Sequence, residues 1–222
     1  MTTIATNGYF LVADNRNTIT IPGHPVYNAH SGEVGDEVLA DTCIKINLIN
    51  SDLTIGGSKI KAIAGAGLTT VINSFTEVIN NYKVNENTDI KQIFKLLNNL
   101  YIGKDVDILG VTEDCKPFFI SLNGDSRLST NSPGCCIGKG SGSGILGTVL
   151  DLGTKLTMKE IIPLASRFDK FTSPSYSAYS TEENHLFGFV IPSQEDIFDI
   201  TKKAVDKAFI TYGNTNSFIN NG

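Results

Sequence analysis

Thr2 and Asp14 are the first residues of this chain that could do chemistry together. The chain opens MTTIATNGYFLVAD, and removal of Met1 would leave Thr2 at the N-terminus. An N-terminal threonine carries its own base, because the free α-amine can take the hydroxyl proton as the oxygen attacks a carbonyl. The reference pKa of such an amine is about 7.7–8.0, so near neutral pH much of it is unprotonated. Thr3 to Thr6 and Tyr9 to Ala13 read as two strands joined at Asn7-Gly8, a two-residue hairpin turn. That hairpin returns Asp14 to the level of the chain start. The same residues suit an ordinary buried hairpin, in which threonine is simply a good strand former.

Further candidates follow along the chain. Lys45 is a lone cation in CIKINLI, Cys43 to Ile49, whose alternation reads as a half-buried strand. On such a strand it needs a partner, which Asp14 could supply; the alternative is a lysine pointing to solvent. Gly65 and Gly67 end the strand SKIKAIAGAG, where a substrate backbone could approach closely, although a tight turn into a helix explains them equally. GKGSGSG, residues 138–144, precedes an apolar helix at Ile145 to Leu152 and invites a phosphate-loop reading. The GxxxxGK[ST] pattern is absent, because Lys139 precedes the glycines instead of closing the loop. Asp169, Thr172 and Ser173 cluster just before Pro174. His24 and His30 lie in a Gly- and Pro-rich excursion without a Cys or spaced carboxylate frame, so no metal site is expected.

The elements that must position these residues are legible from periodicity. Val71, Ile72, Phe75, Val78, Ile79 and Tyr82 form one helical face, and Ile90, Ile93, Phe94, Leu97 and Leu100 another, capped by Thr88. Strands are expected at Thr18 to Ile21, Val106 to Val111, Lys116 to Leu122 and Cys135 to Gly138, with a turn at Asn123-Gly124. Thr157 and Glu160 form a capping box ahead of a helix to Phe168. Leu186 to Ile191 is a last strand, and Ser193 caps a final amphipathic helix. This order suits an α+β fold, a four-layer α-β-β-α sandwich of two antiparallel sheets between helix layers.

Composition narrows the function classes. The 222 residues, 41% hydrophobic and 18% charged, fit one domain, 1–212, followed by a polar tail at 213–222. Net charge −5 and the absence of a Lys/Arg cluster argue against a nucleic-acid surface. No apolar run approaches the roughly 20 residues of a membrane helix, and the N-terminus lacks a signal-peptide pattern. Cys43, Cys115, Cys135 and Cys136 contain no CxxC, which suits reduced thiols in a cytoplasmic protein.

Five segments in order resemble the proteasome β-subunit and bacterial HslV peptidase family of N-terminal-nucleophile hydrolases. TTIAT with LVAD resembles the nucleophile strand and its hairpin aspartate. LADTCIKI resembles the segment of the active-site lysine, and AGAG the strand end that supplies an oxyanion-hole amide. GSGSG resembles the catalytic-site serine loop, and RFDKFTS the late Asp-x-x-Ser element. The resemblance spans Thr2 to about Val190.

It implies Thr2 as nucleophile and base, and Asp14 as partner of the lysine. Ser141, Asp169 and Thr172 would surround the threonine amine, Thr172 standing where the family usually has Ser. Gly67 would offer its N–H to the oxyanion, with Gly65 and Thr69 beside it on the substrate side. The lysine can be aligned two ways. A direct overlay of LADTCIKI puts Thr42 in its place; keeping the Gly56-Gly57 hairpin in register puts Lys45 there, the alignment favoured here, with Lys59 or Lys61 as fallbacks. Ser173 stands where the family often has Gly. The activity implied is a threonine endopeptidase without cofactor. It would degrade unfolded polypeptides inside a homo-oligomeric ring, served by a separate ATP-dependent unfoldase. The alternatives are a silent structural or regulatory ring protein and a small-amide hydrolase with the same nucleophile.

Overall fold

The computed structural model describes residues 2–21, 36–81, 88–101, 104, 106–122, 127–151 and 156–219. In chain order the strands and helices are β1 (Thr3–Thr6), β2 (Phe10–Asp14), β3 (Asn17–Ile21), β4 (Asp36–Ala40), β5 (Ile46–Leu48), β6 (Thr54–Ile55), β7 (Ser58–Ala66), α1 (Thr69–Asn81) and α2 (Ile90–Tyr101). There follow β8 (Asp107–Thr112), β9 (Pro117–Ser121), β10 (Arg127–Thr130), β11 (Ile137–Gly140), α3 (Ser143–Asp151), α4 (Met158–Phe168), β12 (Tyr176–Ser180), β13 (His185–Val190) and α5 (Gln194–Ile219). The fold is the expected α-β-β-α sandwich. One sheet has the order β11-β1-β2-β12-β13 and the other β10-β9-β8-β7-β5, both antiparallel, while β3 and β4 pair apart from them.

Alternation along the strands builds three apolar interlayers. Between the sheets lie Ile4, Leu11, Ala13, Ile46, Ala62, Ala64, Leu109, Val111 and Tyr179. Their sequence neighbours point the other way, because successive strand side chains alternate faces. Ala5, Val12 and Ala178 thus meet Leu146 of α3 and Ile161, Ile162 and Ala165 of α4. On the outer face of the second sheet, Ile63, Ile108, Phe118 and Ile120 meet α1 and α2. There α1 buries Ile72, Phe75 and Ile79, and α2 buries Ile90, Ile93 and Leu97. Each such side chain contributes about 1.5–3 kcal/mol through apolar burial, more than the intrinsic preference of either helix could supply. A register shift between Ile60 and Ala62 swaps the alternation of β7 midway, so Ile60 and Ile63 face the same layer.

Several local expectations are refined. The first hairpin turns through Asn7–Tyr9, with the Asn7 side chain accepting the Tyr9 and Phe10 amides. The stretch Cys43–Ile49 is a strand only over Ile46–Leu48, so Lys45 lies in the extended segment just before it. The Thr157–Glu160 box is present, the Glu160 carboxylate accepting both the amide and the hydroxyl of Thr157. β12 is not expected from YSAYS, in which four of five residues carry a hydroxyl, yet all five residues are buried. α5 continues through residues 213–219, where composition gives a tail. The turn at Asn123-Gly124 and both His24 and His30 lie outside the described residues. Among the described residues, no helix is long and apolar enough to cross a membrane.

Candidate active site

Thr2 immediately precedes β1, near the buried end of β2 where the chain delivers Asp14. Antiparallel pairing of Ile4 with Ala13 fixes this proximity. The Thr3 amide donates to Asp14 Oδ1 at 2.8 Å, and the Arg16 amide donates to Oδ2 at 3.2 Å. Lys45 completes the group from the other sheet. Its ammonium donates to Asp14 Oδ1 at 3.0 Å and to Thr2 Oγ1 at 2.8 Å. The Asp14 side chain is fully buried and that of Lys45 is 10% exposed, so solvent screens this pair poorly.

Burial sets the acidities here. It lowers the pKa of Lys45 below the ordinary lysine value, although Asp14 opposes the shift. It also raises that of Asp14, against the pull of Lys45 and the Thr3 amide. An ammonium bonded to Thr2 Oγ1 stabilises negative charge on that oxygen, which favours its ionisation. Thr42 is exposed, and Lys59 is engaged with Asp52 at 2.6 Å. Of the residues weighed for the lysine position, the geometry brings Lys45 to Thr2.

A second group closes on Thr2 from the α3 and α4 ends. The Ser141 amide donates to the Thr2 carbonyl at 3.2 Å. Ser141 Oγ and Thr172 Oγ1 both donate to Asp169 Oδ2, at 2.5 and 2.6 Å, and the Phe171 amide donates to Oδ1 at 3.1 Å. Burial disfavours the ionised Asp169, but the Ser141 and Thr172 hydroxyls and the Phe171 amide outweigh it and hold the pKa below the ordinary value. Asp169 follows α4 directly as its C-cap, and its own amide donates to the Ala165 carbonyl. The turn into α3 requires glycine at 140: φ is +95°, and a Cβ there would meet the Thr2 carbonyl oxygen at 1.5 Å.

Thr2 opens onto a pocket lined by Lys45, Gly65, Gly67, Thr69, Asn47 and Asn73 among others. The three expected substrate-side residues, Gly65, Gly67 and Thr69, thus gather beside Thr2 where β7 runs into α1. The pocket holds about 20 Å³, room for one water. Its wall is tight because the Ile72 side chain lies 2.5 Å from where a Gly65 Cβ would stand. A larger cavity, about 330 Å³, lies between β1, β11, α3 and α4 and includes neither Thr2 nor Lys45.

Two residue sets at the site carry no signal in the sequence. Thr3 is fully buried and hydrogen-bonded to Thr172 Oγ1 at 2.6 Å. Arg16 grips Asp41 with two bonds, at 2.8 and 3.2 Å, and donates to the Lys170 carbonyl at 2.7 Å. The phosphate-loop reading of GKGSGSG is not met. Lys139 turns away from the loop to Asp107 at 3.6 Å and lies 4.2 Å above the Phe119 ring. Among the described residues, no group of three His, Cys, Asp or Glu is placed to hold a metal ion.

No protein-family model and no curated protein matches this sequence. Solved structures do match the fold. Anbu from Hyphomicrobium sp. strain MC1 aligns with TM-score 0.58 at 11% identity, covering 96% of this chain and 97% of that one. Anbu, described as an ancestral beta-subunit, from Yersinia bercovieri gives TM-score 0.57 at 9% identity, with 96% and 97% coverage. The helical assembly of the Anbu complex from Pseudomonas aeruginosa gives 0.52 at 12% identity, with 96% of each chain covered. The likeness is one of fold over nearly the whole chain.

Proposed function

We propose that this protein is an amide hydrolase of the N-terminal-threonine type, acting as an endopeptidase on unfolded polypeptides. The observation that carries the reading is the placement of Thr2 Oγ1, 2.8 Å from the Lys45 ammonium and at the mouth of a pocket. A solvated threonine hydroxyl is a weak nucleophile; one beside a buried cation and its own amine is an activated one.

The reaction runs as follows once the Met1–Thr2 peptide bond has been cleaved. Thr2 Oγ1 forms a bond to the scissile carbonyl carbon, and its proton passes to the Thr2 α-amine. The oxyanion takes a hydrogen bond from the Gly67 amide, a contribution that is commonly among the largest in acyl transfer. Collapse breaks the C–N bond, and the α-ammonium returns the proton to the leaving amine, leaving an ester on Thr2. Water then attacks the ester, giving its proton to the α-amine, and the carboxylic acid departs as Oγ1 is reprotonated. Lys45 stays charged throughout and stabilises Oγ1, while Asp14 holds the lysine in place. Ser141, Asp169 and Thr172 bracket the amine and keep it oriented.

The active form is a homo-oligomer, and the polypeptide reaches it through a separate unfolding partner. Two observations support assembly: an Anbu with this fold forms a helical assembly, and the α1–α2 layer exposes Leu68, Leu96 and Leu100 at 59, 49 and 54%. Intact-mass measurement and turnover of unfolded casein test the reading together. Loss of Met1 with casein cleavage that Thr2→Ala abolishes supports it. Quantitative retention of Met1 in the protein's native host would sink it.

A further inference from the structure

Thr3 stands one residue beyond the nucleophile with its side chain on the opposite side of β1 from Ile4, and nothing in the reaction above uses it. It is fully buried. Its Oγ1 accepts the Gly142 amide at 2.9 Å and lies 2.6 Å from Thr172 Oγ1. The proton directions can be assigned from the end of the chain backwards. Asp169 accepts from Thr172 at 2.6 Å, which uses the single proton of the Thr172 hydroxyl. Thr172 must therefore accept from Thr3, and Thr3 from Gly142. The result is a one-way relay: Gly142 N–H to Thr3 to Thr172 to Asp169.

We propose that Thr3 is a positioning residue of the reaction, orienting the Thr172 proton onto Asp169 and fixing the Ser141-Gly142 turn against Thr2. This rests on the hydrolase reading. Three features argue that the relay serves the site rather than the core. Its last acceptor, Asp169 Oδ2, is shared with Ser141, whose own amide holds the Thr2 carbonyl. Thr3's own amide is committed to Asp14, so one residue is bonded to both groups that flank Thr2. A methyl-bearing residue without the hydroxyl would fill the same space but leave the buried Gly142 amide without its acceptor.

Around this relay the charged groups are Asp169 itself, the N-terminal amine, which helps to keep Asp169 ionised, Asp14 at the end of β2, Lys45 before β5, Arg16 after β2 and Asp41 after β4. Removing the Thr3 hydroxyl leaves Thr172 free to rotate its proton away from Asp169. Asp169 then loses part of the hydrogen bonding that favours its ionised form, so it protonates at higher pH.

The test compares Thr3→Val, which keeps shape, with Thr3→Ser, which keeps the hydroxyl, in Met1-free protein. Two readouts are used: the pH dependence of peptide hydrolysis, and the rate of covalent labelling of Thr2 by a peptide epoxyketone, followed by mass spectrometry. Expected for Thr3→Val is a tenfold or greater fall in kcat with KM within twofold, and a displacement to higher pH of the Asp169 inflection, which lies on the acid side of the limb set by the Thr2 α-amine. Labelling of Thr2 slows in parallel. Thr3→Ser should restore kcat to within about threefold. A Thr3→Val protein with a lowered melting temperature but an unchanged pH profile and labelling rate makes the residue structural and overturns the inference alone. If the unsubstituted protein neither turns over peptide nor labels at Thr2 while remaining folded, the hydrolase reading falls and this inference with it.

Discussion

Lys45 reaches Asp14 from the facing sheet, its ammonium 3.0 Å from a carboxylate that no solvent touches. The pair joins β2 to the segment before β5, and so ties the two sheets together at the level of Thr2. Removing one partner of a buried pair strands the other, which costs roughly 3–5 kcal/mol. Asp14→Asn should therefore lower both stability and turnover, the latter by at least a hundredfold. Lys45→Met keeps most of the stem but strands the fully buried Asp14 carboxylate in turn, so it should be destabilised to a similar degree and be equally inactive. Denaturant midpoints measured beside casein turnover would separate the two effects; a Lys45→Met enzyme at full activity removes the lysine from the mechanism.

The alkaline side of the pH profile follows from the same burial. Lys45 loses its proton more readily than a free lysine, below the ordinary value of 10.5. Since the charged form stabilises Thr2 Oγ1, activity should fall as pH rises through this depressed value. Single-turnover rates in protein that stays folded across the range would show it. A descending limb at or above the free-lysine value contradicts the assignment.

Gly142→Ala should damage the site with little effect on the core. A Cβ there would stand 2.7 Å from Thr3 Oγ1 and 3.0 Å from both Ala165 Cβ and Thr172 Oγ1. Forcing atoms into such contacts costs about 1–3 kcal/mol. Turnover should drop tenfold or more, with a few degrees off the melting temperature and an unchanged far-ultraviolet circular dichroism spectrum.

The pocket beside Thr2 should select for size. With about 20 Å³ open and Ile72 against its wall, peptides with Ala or Ser on the acyl side of the scissile bond should exceed those with Phe by about tenfold or more in kcat/KM. Ile72→Ala should narrow that gap, at a stability cost of about 2–5 kcal/mol. Equal rates for Ala and Phe in the unsubstituted protein would refute the selection.

Arg16 and Asp41 give an acid-sensitive clasp. The two hydrogen bonds from Arg16 hold the Asp41 carboxyl below its ordinary value against a smaller effect of burial. A depressed carboxylate contributes stability that is present above the unfolded value and is lost as pH falls through the folded one. The melting-temperature difference between the unsubstituted protein and Asp41→Asn should therefore shrink on acidification below about pH 4. With side chains 18 and 35% exposed, the whole effect should be about 1 kcal/mol or less.

How much of this was readable in advance depends on what each residue signals locally. Thr2, Asp14 and Asp169 stand in segments whose order carries the resemblance, and the layer pattern follows from apolar periodicity in α1, α2 and the long strands. Lys45 was legible as a lone cation in want of a partner, but the alignment left two registers open, because the short Ile46–Leu48 strand gives the preceding residues no fixed phase. Thr3 was silent, since a second threonine in a strand looks like a β-former whatever its hydroxyl does. β12 was silent for a related reason: its buried Ser177 donates to Asn15, 162 residues away, while Tyr179 donates to Asn184 in the following turn, and neither bond leaves an apolar pattern in the sequence.

The bond between Thr3 and Thr172 joins positions 169 residues apart in sequence, and that between Lys45 and Thr2 joins positions 43 apart. Contacts of such separation come late, because the entropy of closing the intervening loop must be overcome before they form. The reactive arrangement therefore needs nearly the whole chain: one still emerging from the ribosome has Thr2 at hand but neither Thr172 nor Asp169 to meet it. On the hydrolase reading proposed above, the site is silent during the protein's own synthesis, without a separate inhibitor. Its nucleophile becomes competent only when Met1 has been removed and β1 has met β12 through β2.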